Sequence, residues 1–372
     1  RLKYQLIYRH NMIRNLASEM PVLHHVDEND ILDNKTLAYY KPYFDVILEE
    51  ASAEEKIQWF YNLFYLSKHI DLGLGHSIQH NQAARNYAYM CDDDILKHKI
   101  FNDPFEDIIG ASTNGKPSDT IRLNNNILSG SKNWFTNLAT ASYISLEVTD
   151  EKNVVNRIVV DLQQVEHEID DNFPKLLGLR HARPYNISFN DIKIPNNWVV
   201  GQKAYPDPMF SVEALHHLAF LTNLTAITSA LFDEVYAFAK DTNHATDISV
   251  LKLQIDVITC IDNWIKRLNF FHTDENIFSE AWLLQHDQLY YFGKKTLLQT
   301  ISVARDFGIQ AHTIAEGDIS RTFRNAVAFS SHMQKLYNFK NDWANKTFFD
   351  MDKYIEHYMN KHIRHIDIPE TL

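Results

Sequence analysis

Among the side chains of this chain able to move a proton are the imidazoles of His80 and His332. His80 ends Asp71-Leu-Gly-Leu-Gly-His-Ser-Ile-Gln-His80, and His332 follows Arg321-Thr-Phe-Arg-Asn325. An imidazole donates one hydrogen bond, accepts another and changes charge between about pH 5 and 8, so it can pass a proton to or from a bound molecule. His76, one helical turn before His80, is the alternative register. A second kind of chemistry is offered by Leu128-Ser-Gly-Ser-Lys-Asn-Trp-Phe-Thr-Asn137, a turn feeding an aromatic strand that ends in a hydroxyl and an amide. Trp134 and Phe135 are large aromatic side chains and Thr136 carries a hydroxyl. Asn114, in Gly110-Ala-Ser-Thr-Asn-Gly115, adds an amide on a segment that Asn-Gly turns readily.

Other chemistries are excluded by what is missing. The 19 histidines form no HExxH, and Cys91 and Cys260 form no CxxC pair, so no zinc site and no disulfide framework is expected. With only 10 glycines and neither GxGxxG nor GxxxxGK[ST], a dinucleotide or P-loop site is not expected. The formal charge of −12 disfavours nucleic acid and anionic membrane as partners, since both are bound by basic surfaces. No run of about 18 apolar residues is evident. The N-terminus lacks the basic, apolar, small-residue order of a signal peptide, and a reducing, cytoplasmic setting is the expectation.

The elements that must position these residues follow from periodicity. Over residues 1–105 the apolar residues recur at helical spacing, as in Ile57, Phe60, Tyr61, Phe64 and Leu66. Over 106–205 the pattern turns to short β-branched runs, Tyr143 to Val148 and Arg157 to Leu162, bounded by Asn, Asp and Gly. Pro206 and Pro208 mark the next boundary, and 206–372 reads as helices over 210–240, 249–272, 277–314 and 318–337. The expected class is α+β: an N-terminal helical domain, a middle β-domain and a C-terminal helical bundle.

Leu128 to Asn137, Leu176-Leu-Gly-Leu-Arg180 and Phe189-Asn-Asp-Ile-Lys-Ile-Pro-Asn-Asn-Trp-Val-Val-Gly201 together resemble the middle β-domain of the acyl-CoA dehydrogenase superfamily. The resemblance implies a β-barrel or sandwich for that domain and a flavin, FMN or FAD, along Trp134, Phe135 and Thr136. In the dehydrogenase branch a glutamate base follows an Arg-Asp-Ala segment. The counterpart here is Arg324-Asn325-Ala326, and residues 327–340 hold no Asp or Glu. The other placement of a base is the helix starting near Phe210, where Glu213 is the only acid before Asp233. The chain is more similar to the two-component reduced-flavin monooxygenases of the same fold, typified by dibenzothiophene monooxygenase. These show Arg-x-x-Arg-[Asn/Asp] with a histidine eight residues after the second arginine, as Arg321, Arg324 and His332 do. That likeness implies catalytic roles for His332 and His80, and cofactor contacts from Asn114 and Arg324. It also implies reduced FMN from a separate reductase, a small organic substrate and a homotetramer or dimer.

The chain departs from both branches at Ala239-Lys-Asp-Thr-Asn-His-Ala-Thr246, where no arginine stands near Thr242 for a flavin phosphate, and at Asp306-Phe-Gly-Ile-Gln310, which lacks a Gly-Gly pair. These departures favour the smaller FMN over FAD. An acyl-CoA dehydrogenase using Glu213, and a flavin-free scaffold of the same fold, are the rival readings.

Overall fold

The computed structural model describes residues 34–48, 50–102, 108–112, 121–152, 154–170, 178–182, 184–202, 209–273, 280–309 and 321–331. Four helices come first: α1 (Asn34–Phe44), α2 (Ala53–His69), α3 (Leu72–Tyr89) and α4 (Asp94–Asn102). The start of α2 is fixed by a capping box, in which Ser52 Oγ accepts from Glu55 N at 3.2 Å and Ser52 N donates to Glu55 Oε2 at 2.8 Å. These Ser52 hydrogen bonds hold the Glu55 carboxyl below its ordinary pKa. The buried face of α2 carries Trp59, Phe60, Leu63, Phe64 and Leu66, with Phe64 stacked on Trp264 at 4.7 Å between ring centres.

Eight strands follow: β1 (Ile108–Ser112), β2 (Arg122–Asn124), β3 (Ile127–Phe135), β4 (Ala141–Asp150), β5 (Val155–Asp161), β6 (Glu168–Asp170), β7 (Tyr185–Lys193) and β8 (Val199–Gln202). They form one mixed sheet in the order β6-β7-β3-β2-β4-β5-β8, with β1 parallel to β4. The β2–β3 hairpin turns on Asn125 and Asn126, both at positive φ (50° and 63°), which Asn tolerates better than other side chains.

The sheet is open, which corrects the expectation of a barrel. Its end strands β6 and β8 have three and four residues and share no ladder among the described residues. Closure is unnecessary because helices cover the sheet. Ala84 and Ala88 of α3 and Leu96 and Ile100 of α4 belong to the same core as Leu128, Phe135, Ile144, Leu146, Ile158, Val160 and Phe189. Continuous burial along β4 and β5, rather than alternation, is the consequence.

Three long helices come next: α5 (Met209–Asp241), α6 (Ile248–Asn269) and α7 (Glu280–Asp306). Helix α5 is the axis of the bundle and packs against α2, α3, α6 and α7. Residues 214–241 are long and apolar enough to cross a membrane, yet the most apolar stretch of this helix is almost wholly buried inside the protein, so its apolar character is spent on neighbouring helices. Thr222, Thr225 and Thr228 donate to carbonyls four residues back, at 2.8, 2.8 and 2.6 Å, which lets these hydroxyls be buried on α5. Residues 321–331 are also helical. The chain divides into a compact unit of residues 1–328 and a second of 329–372, of which residues 329–331 are described.

Both cysteines are free thiols inside the first unit. Cys91 donates to the Asn197 carbonyl at 2.8 Å, and burial pushes the Cys260 thiol up to about 12 against a hydrogen bond from Thr296 that lowers it. Neither thiol is expected to react with a disulfide reagent until the protein unfolds. Fast labelling of either cysteine in native protein contradicts this.

Candidate active site

His80, one of the residues singled out by sequence, lies on α3, whose first half is tied to two distant segments. Its N-cap is Asp71, whose Oδ1 accepts from Leu74 N at 2.9 Å. The other oxygen of this buried carboxylate accepts from Arg321 Nε at 2.7 Å and from Asn325 Nδ2 at 3.0 Å. Nε2 of His181 stands between the charges, 3.4 Å from Asp71 and 3.5 Å from Arg321. Asn325 Oδ1 accepts from Leu179 N at 2.8 Å. One carboxylate therefore joins three segments distant in sequence. Burial, followed by Tyr39 and the Asp71 carboxylate, pushes the adjoining Tyr40 phenol well above its ordinary pKa, with Arg321 opposing.

Close backbone approach explains the Leu-Gly-Leu-Arg motif. A Cβ on Gly178 meets the Arg324 carbonyl oxygen at 2.6 Å and Asn325 Cα at 2.9 Å, so only glycine lets this segment lie on the helix of residues 321–331. The Arg321-Thr-Phe-Arg-Asn325 motif thus spends Arg321 and Asn325 on this junction. Arg324 is half-buried on the same helix.

Beyond the junction, residues 72–88 of α3 are all buried although many are polar. The face toward α5 presents His76, Gln79 and His80. His76 and His80 meet with ring centres 4.4 Å apart, and His80 lies 5.1 Å from His216. Phe220 touches all three imidazoles, at 5.7, 5.8 and 4.9 Å. His76, His80 and His216 are each at most 4% exposed. Three imidazoles in a buried seam can pass protons or hold polar atoms that aliphatic side chains cannot.

The end of β3 abuts the same helix. Asn137 Nδ2 donates to the Ser77 carbonyl at 2.9 Å, and Asn137 N donates to Ala182 O at 3.3 Å. Trp134 has φ of 61° at an irregularity in the β3–β7 ladder, where its N–H donates to Asn186 Oδ1 at 3.2 Å. That kink puts successive side chains in different settings: Trp134 is 40% exposed, Phe135 is enclosed by the sheet core at 0%, and Thr136 is 7% exposed. Ser77 Oγ and Asn137 Oδ1 are buried with no hydrogen-bond partner among the described residues.

His80 thus lies on α3, Thr136 precedes the Asn137 that bonds to α3, Trp134 is exposed at the kink of β3, and Phe135 faces the core. His332 and Asn114 lie outside the described residues. Glu213 is near the start of α5, one turn before His216 and His217, and its side chain lies outside the description. The segment around Thr242 is an exposed turn in which Asn243 has φ of 62° and His244 Nδ1 pairs with Asp247 at 3.0 Å. Sequence reading missed Asp71, His216 and Asn223. An acid directly before Leu-Gly-Leu-Gly is a cap signal, and His216-His217 interrupting an apolar helix is a site signal.

No protein-family model matches the chain, and no curated protein matches it by sequence. Solved structures do match. A glutaryl-coenzyme A dehydrogenase bound to glutaryl-CoA superposes with a TM-score of 0.69 at 12% identity, over 87% of this chain and 90% of that one. A glutaryl-CoA dehydrogenase from Mycobacterium smegmatis in complex with FADH2 gives 0.64 at 11% identity, over 80% and 82%. Dibenzothiophene monooxygenase (TdsC) from Paenibacillus sp. A11-2 gives 0.64 at 11% identity, over 84% and 90%. The protein has the acyl-CoA dehydrogenase fold, shared by dehydrogenases and monooxygenases.

Proposed function

We propose that this protein is a flavin-dependent oxidoreductase, a monooxygenase that uses reduced flavin and O2 on a small organic substrate. The observation that carries the reading is the imidazole seam of His76, His80 and His216, set on the helix that Asn137 ties to the end of β3. Fold neighbours that include an FADH2 complex and a monooxygenase support it. The local residues fit a flat heterocycle with a polar edge. Trp134 offers a half-exposed aromatic face, Thr136 a hydroxyl, and Ser77 Oγ and Asn137 Oδ1 are buried polar atoms lacking partners among the described residues. When bound, reduced flavin would supply the two electrons needed to activate O2. The chain would exclude water, hold the polar edge, and move the substrate's proton at His80, with His332 as a second carrier.

The turn at Thr242 to His244 offers no arginine for an adenine-bearing cofactor's phosphates, which favours FMN from a separate reductase. Cytoplasmic residence and a tetramer or dimer complete the proposal. Exposed Ile248, Leu251 and Ile255 on α6, with Tyr291 and Leu298 on α7, offer an apolar surface for a second copy.

Titrating the purified protein with FMN and FAD, oxidised and then reduced under anaerobic conditions, tests the reading. Tighter binding of reduced FMN, with O2 consumed only when a reductase is present, is expected. No flavin binding in either redox state overturns it in favour of a flavin-free scaffold. Glu213-dependent oxidation of an acyl thioester overturns the monooxygenase assignment alone.

Two neighbouring substitutions distinguish wall from core. Trp134→Ala is expected to change apo stability by less than about 1 kcal/mol, being partly exposed, while weakening flavin binding about tenfold or more. Phe135→Ala is expected to cost about 3–5 kcal/mol in apo protein through the cavity it leaves. Urea melts with parallel flavin titrations check both, and unchanged affinity in Trp134→Ala removes Trp134 from the cofactor wall.

A further inference from the structure

A polar chain runs across the bundle interior and ends at an amide without a partner among the described residues. Ser67 Oγ on α2 donates to Asn223 Oδ1 on α5 at 2.5 Å, and Asn223 Nδ2 donates to Gln79 Oε1 on α3 at 2.6 Å. The three residues are 3%, 0% and 1% exposed. Gln79 Nε2, at the far end, is buried with no hydrogen-bond partner among the described residues. Turning both amides over reverses each donor and acceptor, so that Asn223 donates to Ser67 and Gln79 to Asn223, and the far end of the relay presents Gln79 Oε1 in place of Nε2.

The position of that dead end is informative. Gln79 lies on the α3 face that also carries His76 and His80, opposite His216, Phe220 and Asn223 of α5. Close packing supports the relay, because a Cβ on Gly75 would stand 1.9 Å from Ser67 Oγ and 3.3 Å from Asn223 Oδ1. Glycine at 75 is what lets the three helices come together around these polar groups. A seam between helices that served only stability would be filled with Leu and Ile, since an unpaired buried amide is destabilising.

We propose that Gln79 is the specificity contact of the imidazole seam and binds an oxygen of the substrate, a carbonyl or hydroxyl group on a compact, flat, uncharged molecule. This rests on the proposed function for the identity of the site, but not on the flavin for its test. Phe220 and the imidazoles wall the flat part, Gln79 pairs with the oxygen, and Asn223 and Ser67 hold the Gln79 side chain in place. A bare hydrocarbon of the same shape offers the amide no hydrogen bond and is disfavoured.

Acetophenone and α-methylstyrene are matched probes, differing in C=O against C=CH2. Their binding to the full chain is followed by NMR of histidine-labelled protein, with and without FMN, while flavin binding is scored separately by absorbance. The expected result is roughly tenfold tighter binding of the ketone, corresponding to one hydrogen bond, with shifted imidazole signals. In Gln79→Leu the preference is expected to vanish. Should that variant fail to fold, Gln79→Leu combined with Asn223→Leu removes the relay as a unit and is read in the same way. Equal binding of the two probes, binding of neither, or a preference retained in a folded variant overturns the proposal. Ketone selectivity without flavin binding defeats the flavin reading alone, and flavin binding without selectivity defeats this proposal alone.

Discussion

Replacing Asp71 by alanine is expected to cost about 3–5 kcal/mol, close to the whole stability of many domains. The carboxylate side chain is 3% exposed and takes hydrogen bonds from Leu74 N, Arg321 Nε and Asn325 Nδ2. Its removal opens the N-cap of α3, typically about 1 kcal/mol. It also takes from the Arg321 guanidinium, whose side chain is 22% exposed, the Asp71 partner it holds beside His181. Asp71→Asn keeps an oxygen for the cap and the same volume, and is expected to lose about half as much. Arg321→Ala takes the guanidinium from a buried carboxylate and should cost a similar amount to Asp71→Ala. The double variant should fall short of the sum of the singles by about 1–3 kcal/mol, because the two act as one unit. Urea unfolding of the four proteins measures this. A strictly additive cycle, or a loss below 1 kcal/mol in Asp71→Ala, would show that the junction is not held by this pair.

His80→Ala is the substitution expected to separate binding from chemistry. Under the proposed function His80 handles a proton inside the seam, so its loss should slow product formation about 10²- to 10⁴-fold and divert O2 to H2O2. Flavin affinity should stay within a few fold, since Trp134 and Thr136 form a different segment of the site. His80 packs against His76, His216 and Phe220, and the alanine variant also opens a cavity. His80→Gln preserves much of the volume and one hydrogen bond, and should fold like wild type while remaining uncoupled. His332→Ala, examined in the same assay, reports whether the proton passes through one carrier or two. Wild-type coupling in both variants would remove histidine catalysis from the proposal and shift weight to Glu213.

How much of this was legible in the sequence differs by element. Strands β4 and β5 were readable because β-branched runs between polar breaks have few other uses, and α5, α6 and α7 because their apolar spacing persists over many turns. The strand carrying Trp134 to Asn137 was legible as a motif. The separation of Trp134 from Phe135 was not, because alternation along a strand says nothing about a residue held at φ of 61°. Openness of the sheet was equally hidden, since the same strands could have closed had α3 and α4 not covered them.

The sequence alone determined the succession of helices, strands and helices, the absence of paired cysteines, and the likeness that pointed to the acyl-CoA dehydrogenase fold. These are local properties, set by periodicity and by short motifs. Tertiary structure alone decided that Asp71 holds Arg321 and Asn325, that His216 joins His76 and His80, and that Ser67, Asn223 and Gln79 form one relay. Each of these joins residues more than a hundred positions apart. Hydrogen bonds and ring contacts act over a few ångströms in space, and a single sequence does not encode which distant polar residues share a buried seam until the apolar faces around them have packed.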